Sequence, residues 1–318
     1  MTVSIVVPVY NAADTIGACI DSLCAQTHTE VDIVLVDDGS PDESGRICDE
    51  RAQQDSRIRV IHQPNRGRSA ARWEGTKQAV GEWLTYVDAD DQLMADAIER
   101  LSMLTSDATD IVMAGSESIG KPTGMVPLNE FRHLTVRGEG TIGVPWGSLY
   151  RRSMLTAYLF DLPRDIINGE DYLFWLRLIF QTTKDVQTLH ESVYLKGAEH
   201  TSNVFRWTSD YCDHLNQYRM SSIPADLLDT FLADTVVDRI ANLFAATLEE
   251  PRSVWQNHVF FREIESDMER LDLCFKPRQR LFLSLPSRRL RQLYSKVSDG
   301  LSGFHSFGAQ PTYFLKAR

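Results

Sequence analysis

Short apolar runs rich in β-branched residues, Val3–Val9, Val31–Val36, Ile58–Ile61, Trp83–Val87 and Asp110–Ala114, alternate with segments of helical period. Strands joined through helices pair in parallel, and a parallel sheet needs helices on its faces, so residues 1 to about 115 read as α/β. The first helix sets Ile16, Cys19, Ile20 and Leu23 on one face, and the fourth sets Met94, Ala97, Ile98, Leu101 and Leu104 there. Ser40-Pro41-Asp42-Glu43 reads as a capping box that opens the second helix with proline at its first position. The third helix carries Ala71, Gly75 and Ala79 four residues apart, a stripe along which a sheet can approach closely.

Between about 115 and 145 the pattern loosens, and Phe131, Leu134 and Val136 are expected in short strands. Residues 169–180 are apolar almost all round and predict a buried helix, while Asp185–Leu195 predicts another strand. The first domain is therefore expected to run over 1–207. From 208 to 318 the patterning is helical, interrupted by Pro224, Pro251, Pro277 and Pro286, and reads as a separate helical extension. With 43% hydrophobic and 24% charged residues the chain has the proportions of a folded globular protein. Its net charge of −11 argues against wrapping nucleic acid, which needs a basic face to displace counterions. Five cysteines without a Cys-x-x-Cys pair argue against a disulfide framework or a zinc site. No stretch approaches the roughly 18 apolar residues of a membrane span and the start lacks a charged leader, so a cytoplasmic chain is expected.

In an open α/β sheet, ligands bind beyond the carboxyl ends of the strands. Three such ends are polar here: Pro8-Val9-Tyr10-Asn11, Asp37-Asp38-Gly39-Ser40 and Asp88-Ala89-Asp90-Asp91. Taken singly, Asp37-Asp38 reads equally well as turn and cap chemistry, and Asp88 to Asp91 as a solvated loop. Taken together, five carboxylates at one edge repel unless a cation or hydrogen-bond donors compensate them. Asp-x-Asp after a strand suits Mg²⁺ or Mn²⁺, which complete their shells with water and phosphate oxygens, and this points to a diphosphate-bearing ligand. Asn65-Arg66-Gly67-Arg68 opens the third helix, where backbone N–H groups and guanidinium donors can receive anionic oxygens; the ordinary alternative is a loop with two solvated arginines.

Ser4-Ile-Val-Val-Pro-Val-Tyr-Asn11, Val36-Asp-Asp-Gly-Ser-Pro-Asp42, Asn65-Arg-Gly-Arg-Ser-Ala-Ala-Arg72, Tyr86-Val-Asp-Ala-Asp-Asp91 and Gly169-Glu-Asp171 follow the order and spacing of family 2 glycosyltransferases, which the chain resembles over residues 1 to about 205. The resemblance implies a GT-A fold, Rossmann-like with a mostly parallel sheet, in which 1–115 is the nucleotide-sugar half and 116–207 the acceptor-side half. It implies a nucleotide-sugar donor, UDP-linked by preference, a divalent Mn²⁺ or Mg²⁺, and transfer with inversion. Pro8 and Tyr10 would flank the base and Asp38 would accept a hydrogen bond from it. Asn65, Gly67, Arg68 and Arg72 would surround the nucleotide, Asp88 would lie near the ribose, and Ala89 would belong to the same nucleotide-binding set. Asp90 would bind the metal, with Asp88 and His200 as further ligands. A metal aimed at a leaving diphosphate stabilises the charge that develops as the glycosidic bond breaks.

Asp171 matches the family's base, which takes the proton of the acceptor hydroxyl, and Glu170 would orient that hydroxyl. Asn168 is expected to cap the helix that carries them. Read without the resemblance, Asp171 merely completes a cap, Trp146 is core rather than a platform for a sugar ring, and His200 is a surface histidine. Two positions depart from the family pattern: Trp73, where many relatives carry asparagine, and Asn203-Val-Phe-Arg206-Trp207, a near miss of the Gln-x-x-Arg-Trp of processive synthases.

Between Lys276 and Ser298 stand Lys276, Arg278, Arg280, Arg288, Arg289, Arg291 and Lys296 with no acidic residue, interleaved with leucines. Such a segment suits an anionic membrane face, at about 1 kcal/mol per cation, or packs on the acidic catalytic domain, or forms a dimer contact. The expectation is thus a metal-dependent hexosyl- or N-acetylhexosaminyltransferase acting on a saccharide or lipid-linked saccharide in bacterial surface polysaccharide assembly, peripheral on the inner membrane face. A processive synthase component, an idle nucleotide-sugar binding protein and, more weakly, a nucleotidyltransferase are the alternatives.

Overall fold

The computed structural model describes residues 1–139, 144–197, 205–302 and 315–317. The chain divides into two compact units, the first made of 1–131 and 143–201 and the second of 132–142 and 202–318.

In the first unit the alternation of strands and helices runs β1 (Val3–Val9), α1 (Ile16–Cys24), β2 (Val31–Asp37), α2 (Ser44–Gln54), β3 (Ile58–His62), α3 (Arg68–Gln78) and β4 (Trp83–Tyr86). The four strands pair in parallel in the order β3-β2-β1-β4. β5 (Gln92–Leu93), α4 (Ala97–Ser102), β6 (Ile111–Ala114), β7 (Gly124–Val126), α5 (Leu128–Val136), β8 (Ser148–Arg151), α6 (Ala157–Phe160), α7 (Glu170–Gln181), β9 (Val186–Leu189) and β10 (Tyr194–Leu195) follow, the division between the units passing through α5. The sheet continues through β8-β6-β9-β7, with β8 antiparallel to both neighbours and β7 antiparallel to β9, so the expected mostly parallel sheet acquires a mixed second half.

The helix faces expected from the 3.6-residue period are the buried ones. Ile16, Cys19, Ile20 and Leu23 of α1 and Ala97, Ile98 and Leu101 of α4 join one core with β1, β2 and β4, while Met94 and Leu104 pack on it from outside the helix. The small-residue stripe of α3 sits on the sheet: a Cβ on Gly75 would stand 2.4 Å from Val6 Cγ1 and 3.1 Å from Val36 Cγ2.

Several local expectations are corrected. α2 begins at Ser44, not at a Ser40 cap, because Asp42 accepts from Ser44 N–H and Oγ while Ser40 Oγ accepts from Asn11 N–H. Phe131, Leu134 and Val136 lie on a helix, where a buried 131/134 spacing closes one face. The run 185–195 is two strands in two sheets, β9 in the large sheet and β10 antiparallel to β5. Gly169, at φ +101°, takes the N-cap of α7 in place of Asn168, a backbone that favours glycine.

The second unit is helical: α8 (Ser209–Ser222), α9 (Leu228–Glu249), α10 (Arg252–Trp255), α11 (Val259–Arg270), α12 (Pro277–Ser284) and α13 (Arg288–Ser302), with a two-stranded pair of β11 (Leu273–Phe275) and β12 (Leu315–Ala317). Its core gathers Val236, Ile240, Leu243 and Phe244 of α9 with Phe260, Ile264 and Met268 of α11 and Phe282 of α12. Arg291, fully buried, donates to the carbonyls of Thr247, Leu285 and Glu250 and so satisfies the open C-terminal end of α9.

Candidate active site

Parallel strands deliver their carboxyl ends to one edge, and there the loops are cross-tied. Asp38 N–H donates to Val9 O at 2.8 Å and Gln63 N–H to Asp37 O at 3.0 Å, joining the ends of β1, β2 and β3. Gly39 makes the turn possible twice over, by its φ of +72° and because a Cβ would meet Asn65 N at 2.9 Å. The Asp38 carboxylate, 3% exposed, accepts from Gln63 Nε2 at 2.6 Å and from the N–H groups of Arg66 and Gly67 at 2.8 Å each. It therefore shapes the loop that leads into α3, and Tyr10 stands exposed and Pro8 half-buried on the neighbouring strand end.

From that loop and α3, three links cross to the segment that enters α7. Arg164 Nη2 donates to Asn65 Oδ1 at 2.5 Å, Arg68 Nη1 pairs with Glu170 at 3.0 Å, and Arg72 Nη1 pairs with Asp171. Arg72 is the pivot of the site. It is 2% exposed and its other terminal nitrogen, Nη2, pairs with Asp88 at 2.9 Å, so one guanidinium joins the end of β4 to the start of α7. Burial disfavours its charge, and Asp171 and Asp88 more than offset that, so its pKa lies above the ordinary arginine value. Its Nε is buried without a partner among the described residues.

The two adjacent carboxyls of α7 differ. Burial, reinforced by the charge of Asp171 and opposed by Arg68, raises Glu170 to about 7. Asp171 shares its carboxylate with the buried guanidinium.

The acidic turn after β4 shows a division of labour. Asp88 is held by Arg72, Asp91 is buried and accepts from Gly197 N–H at 2.7 Å, and Asp90 is exposed with no hydrogen bond or ion pair among the described residues. Burial raises the Asp91 pKa, against the hydrogen bonds from Gly197 and Tyr194. One uncommitted carboxylate plus a share of Asp88 fits a divalent ion that takes one or two protein carboxylates and fills its shell from water and phosphates. It does not fit an ion held by protein alone, and among the described residues no group of three or more His, Cys, Asp or Glu side chains gathers to hold a metal. His200 lies outside the described residues.

Of the residues expected at the site, Asp38, Asn65, Gly67, Arg68, Arg72, Asp88, Asp90, Glu170 and Asp171 are linked by these contacts or adjoin them, and Ala89 is buried in the turn. Trp146 is half-buried and stacks on Tyr194 with ring centroids 4.2 Å apart, with Lys196 over its ring at 5.2 Å. Trp73 stacks on Phe160. Arg164, Tyr194 and Gly197 escaped the sequence reading. An arginine in a loop and a tyrosine in an apolar run carry no local signal that would single them out.

A model of the family described as "Glycosyl transferase family 2" matches residues 4–159. The "Uncharacterized glycosyltransferase EpsJ" of Bacillus subtilis is 37% identical over 207 residues, which covers 61% of this chain and 60% of that protein. The chain spans less than two thirds of the length of the first curated relatives it matches. Among solved structures, S. aureus TarS 1-349 in complex with UDP-GlcNAc has a TM-score of 0.58 at 18% identity and covers 85% of this chain and 92% of that one. Mannosyltransferase PcManGT from Pyrobaculum calidifontis, in complex with GDP-Man and Mn²⁺, has a TM-score of 0.60 at 15% identity and covers 98% of this chain and 84% of that one. At these identities the two structures bear on the fold.

Proposed function

The chain belongs to glycosyl transferase family 2, with a GT-A fold, and from that premise we propose that it transfers a sugar from a UDP-sugar to an acceptor hydroxyl with inversion at the anomeric carbon. The observation that carries the reading is the Arg72 bridge, which brings a strand-end carboxylate, Asp88, within one guanidinium of the helix-start carboxylate Asp171, beside an uncommitted Asp90.

In this reading Asp90, with Asp88, would hold a Mn²⁺ or Mg²⁺ ion, which would supply positive charge at the leaving diphosphate. Asp171 takes the acceptor proton as the new bond to the anomeric carbon forms and the electron pair of the old one departs with the nucleoside diphosphate. Arg72 holds one Asp171 oxygen and leaves the other for the hydroxyl. Arg68 and Arg164, now engaged by Glu170 and Asn65, stand at the loop in which the nucleotide is placed. That UDP-GlcNAc, and GDP-Man with Mn²⁺, are bound by the two similar structures supports a nucleotide-sugar donor and a divalent ion.

Calorimetric titration with UDP, GDP and dTDP, each with Mn²⁺ and with chelator, tests the donor and the metal together. Metal-dependent binding of UDP is the expected result. Asp90→Ala should abolish it, whereas Asp171→Asn should keep binding and lose transfer to an acceptor. Equal UDP affinity of wild type and Asp90→Ala in Mn²⁺ would sink the metal assignment. Transfer by Asp171→Asn at the wild-type rate would remove the base, and donor binding without any transfer by the wild type would favour an idle binding protein.

For the acceptor we propose a lipid-linked saccharide in surface polysaccharide assembly, reached from the inner membrane face. Of the basic side chains between 276 and 298, Arg280 donates to Phe275 O, Arg288 to Glu249 and Leu248 O, and Arg291 is buried, so these three serve packing within their own unit. Membrane contact is assigned to the exposed remainder: Arg278, Arg289, Leu281, Leu290 and Leu293.

A further inference from the structure

The turn that carries Asp90 is not held by its own strand alone. β10 runs antiparallel to β5, with Tyr194 opposite Leu93 and Leu195 opposite Gln92, and this pairing lays residues 194–197 alongside the turn. Two hydrogen bonds and one close approach follow. Asp88 N–H donates to Tyr194 Oη at 3.0 Å. Gly197 N–H donates to Asp91 Oδ1 at 2.7 Å. At Gly197 the chain passes so close that a Cβ would stand 2.0 Å from the backbone oxygen of Asp90 itself.

The residue before Asp90's neighbour Ala89 and the residue after Asp90 are thus both fixed by one short segment 106 residues away in sequence. That matters because Asp90 has no restraint of its own, and because Asp88, Asp90 and Asp91 carry like charges that would otherwise open the turn. Neutral partners on both sides of Asp90, the Tyr194 hydroxyl for the Asp88 N–H and the Gly197 N–H for the Asp91 carboxylate, remove most of this freedom before any ligand arrives. Tyr194 is itself immobilised, since its ring is 6% exposed and stacked on Trp146.

We infer that Tyr194 and Gly197 are positioning residues for Asp90, a clasp that holds the 88–91 backbone in the form that presents the Asp90 carboxylate to a divalent ion. The inference rests on the assignment of Asp90 as the carboxylate that binds the ion.

Tyr194→Phe removes only the hydroxyl and keeps the stacked ring, and Gly197→Ala forces the two backbones apart. Binding of UDP is followed calorimetrically at stepped Mn²⁺ concentrations for wild type, both variants and Asp90→Ala, with melting temperature measured without nucleotide. The expected result is that both variants need about tenfold more Mn²⁺ for half-maximal UDP binding, the scale on which outer-shell partners act. Saturating Mn²⁺ should restore wild-type UDP binding. A wild-type Mn²⁺ requirement in Tyr194→Phe, with Asp90→Ala unable to bind, would overturn the clasp and leave Asp90 standing. A lowered melting temperature with that requirement unchanged would also overturn it, as a merely structural contact. Equal Mn²⁺-dependent binding by Asp90→Ala and wild type would instead overturn the metal assignment, and the clasp with it. Should Gly197→Ala fail to fold, Tyr194→Phe carries the test alone.

Discussion

Glu170 and Asp171 are neighbours in sequence and in the first turn of α7, yet their surroundings differ. The Glu170 side chain is 13% exposed and pairs with Arg68, which is itself 53% exposed, so solvent screens that pair. Its pKa of about 7, against an ordinary 4.5, means that the folded protein keeps a proton through a range in which the unfolded chain has lost it. Stability from this group is therefore complete below about pH 4.5 and falls as pH rises through about 7. Glu170→Gln removes the titration. Thermal melts between about pH 5 and pH 8 should show the variant gaining on the wild type as pH rises, and a constant difference across the range would refute the assignment. The identity of this pair was legible in Gly169-Glu-Asp171, but their different surroundings were not, because these come from burial in the fold and from Arg68 and Arg72, about 100 residues upstream.

At the scale of elements, α3 shows how packing on one face sets chemistry at one end. Gly75 touches Val6 and Val36, and Arg68 and Arg72 stand at the start of the same helix. Gly75→Ala introduces a Cβ 2.4 Å from a buried valine methyl, so α3 must lift or Val6 must leave its rotamer. Overpacking of this kind costs about 1–3 kcal/mol. Denaturant midpoints should fall accordingly, and because a lifted α3 draws Arg72 from Asp171 and Asp88, transfer should fall more than UDP binding does. Unchanged stability would mean that the sheet yields at no cost. The stripe was readable in sequence because close approach needs small residues at helical spacing, a purely local pattern. Phe131, Leu134 and Val136 were not readable, since their β-branched company resembles a strand while their 131/134 spacing fits a helix, and burial beside Trp175 decides in favour of the helix. Tyr194 and Gly197 were hidden for a different reason: their partners lie in the acidic turn, and a contact across 106 residues leaves no mark on either segment.

For the whole molecule, the question is how a chain of net charge −11 could approach an anionic surface at all. Only a local reversal of charge allows it, and the structure narrows that reversal, since Arg280, Arg288 and Arg291 are engaged by carbonyls and Glu249 within the second unit. The sequence could show that cations gather there but not which of them a neighbouring helix end would claim. Arg278 and Arg289 remain exposed, at about 1 kcal/mol each near a charged leaflet. Leu281, Leu290 and Leu293 are about half exposed, so each has roughly half of the 1.5–3 kcal/mol of a full leucine burial left to gain. The leucines would therefore outweigh the arginines, and the total predicts a weak, reversible attachment. Two consequences can be measured by sedimentation with vesicles containing phosphatidylglycerol. Salt should weaken binding without abolishing it, because screening acts on the arginines and not on the leucines. Leu290→Asp with Leu293→Asp should abolish binding at every salt concentration, since it removes most of the apolar attraction and adds two repelled charges. Co-sedimentation that vanishes with salt but survives the double substitution would assign the contact to charge alone, and no co-sedimentation by the wild type would leave the segment a packing element of its own unit.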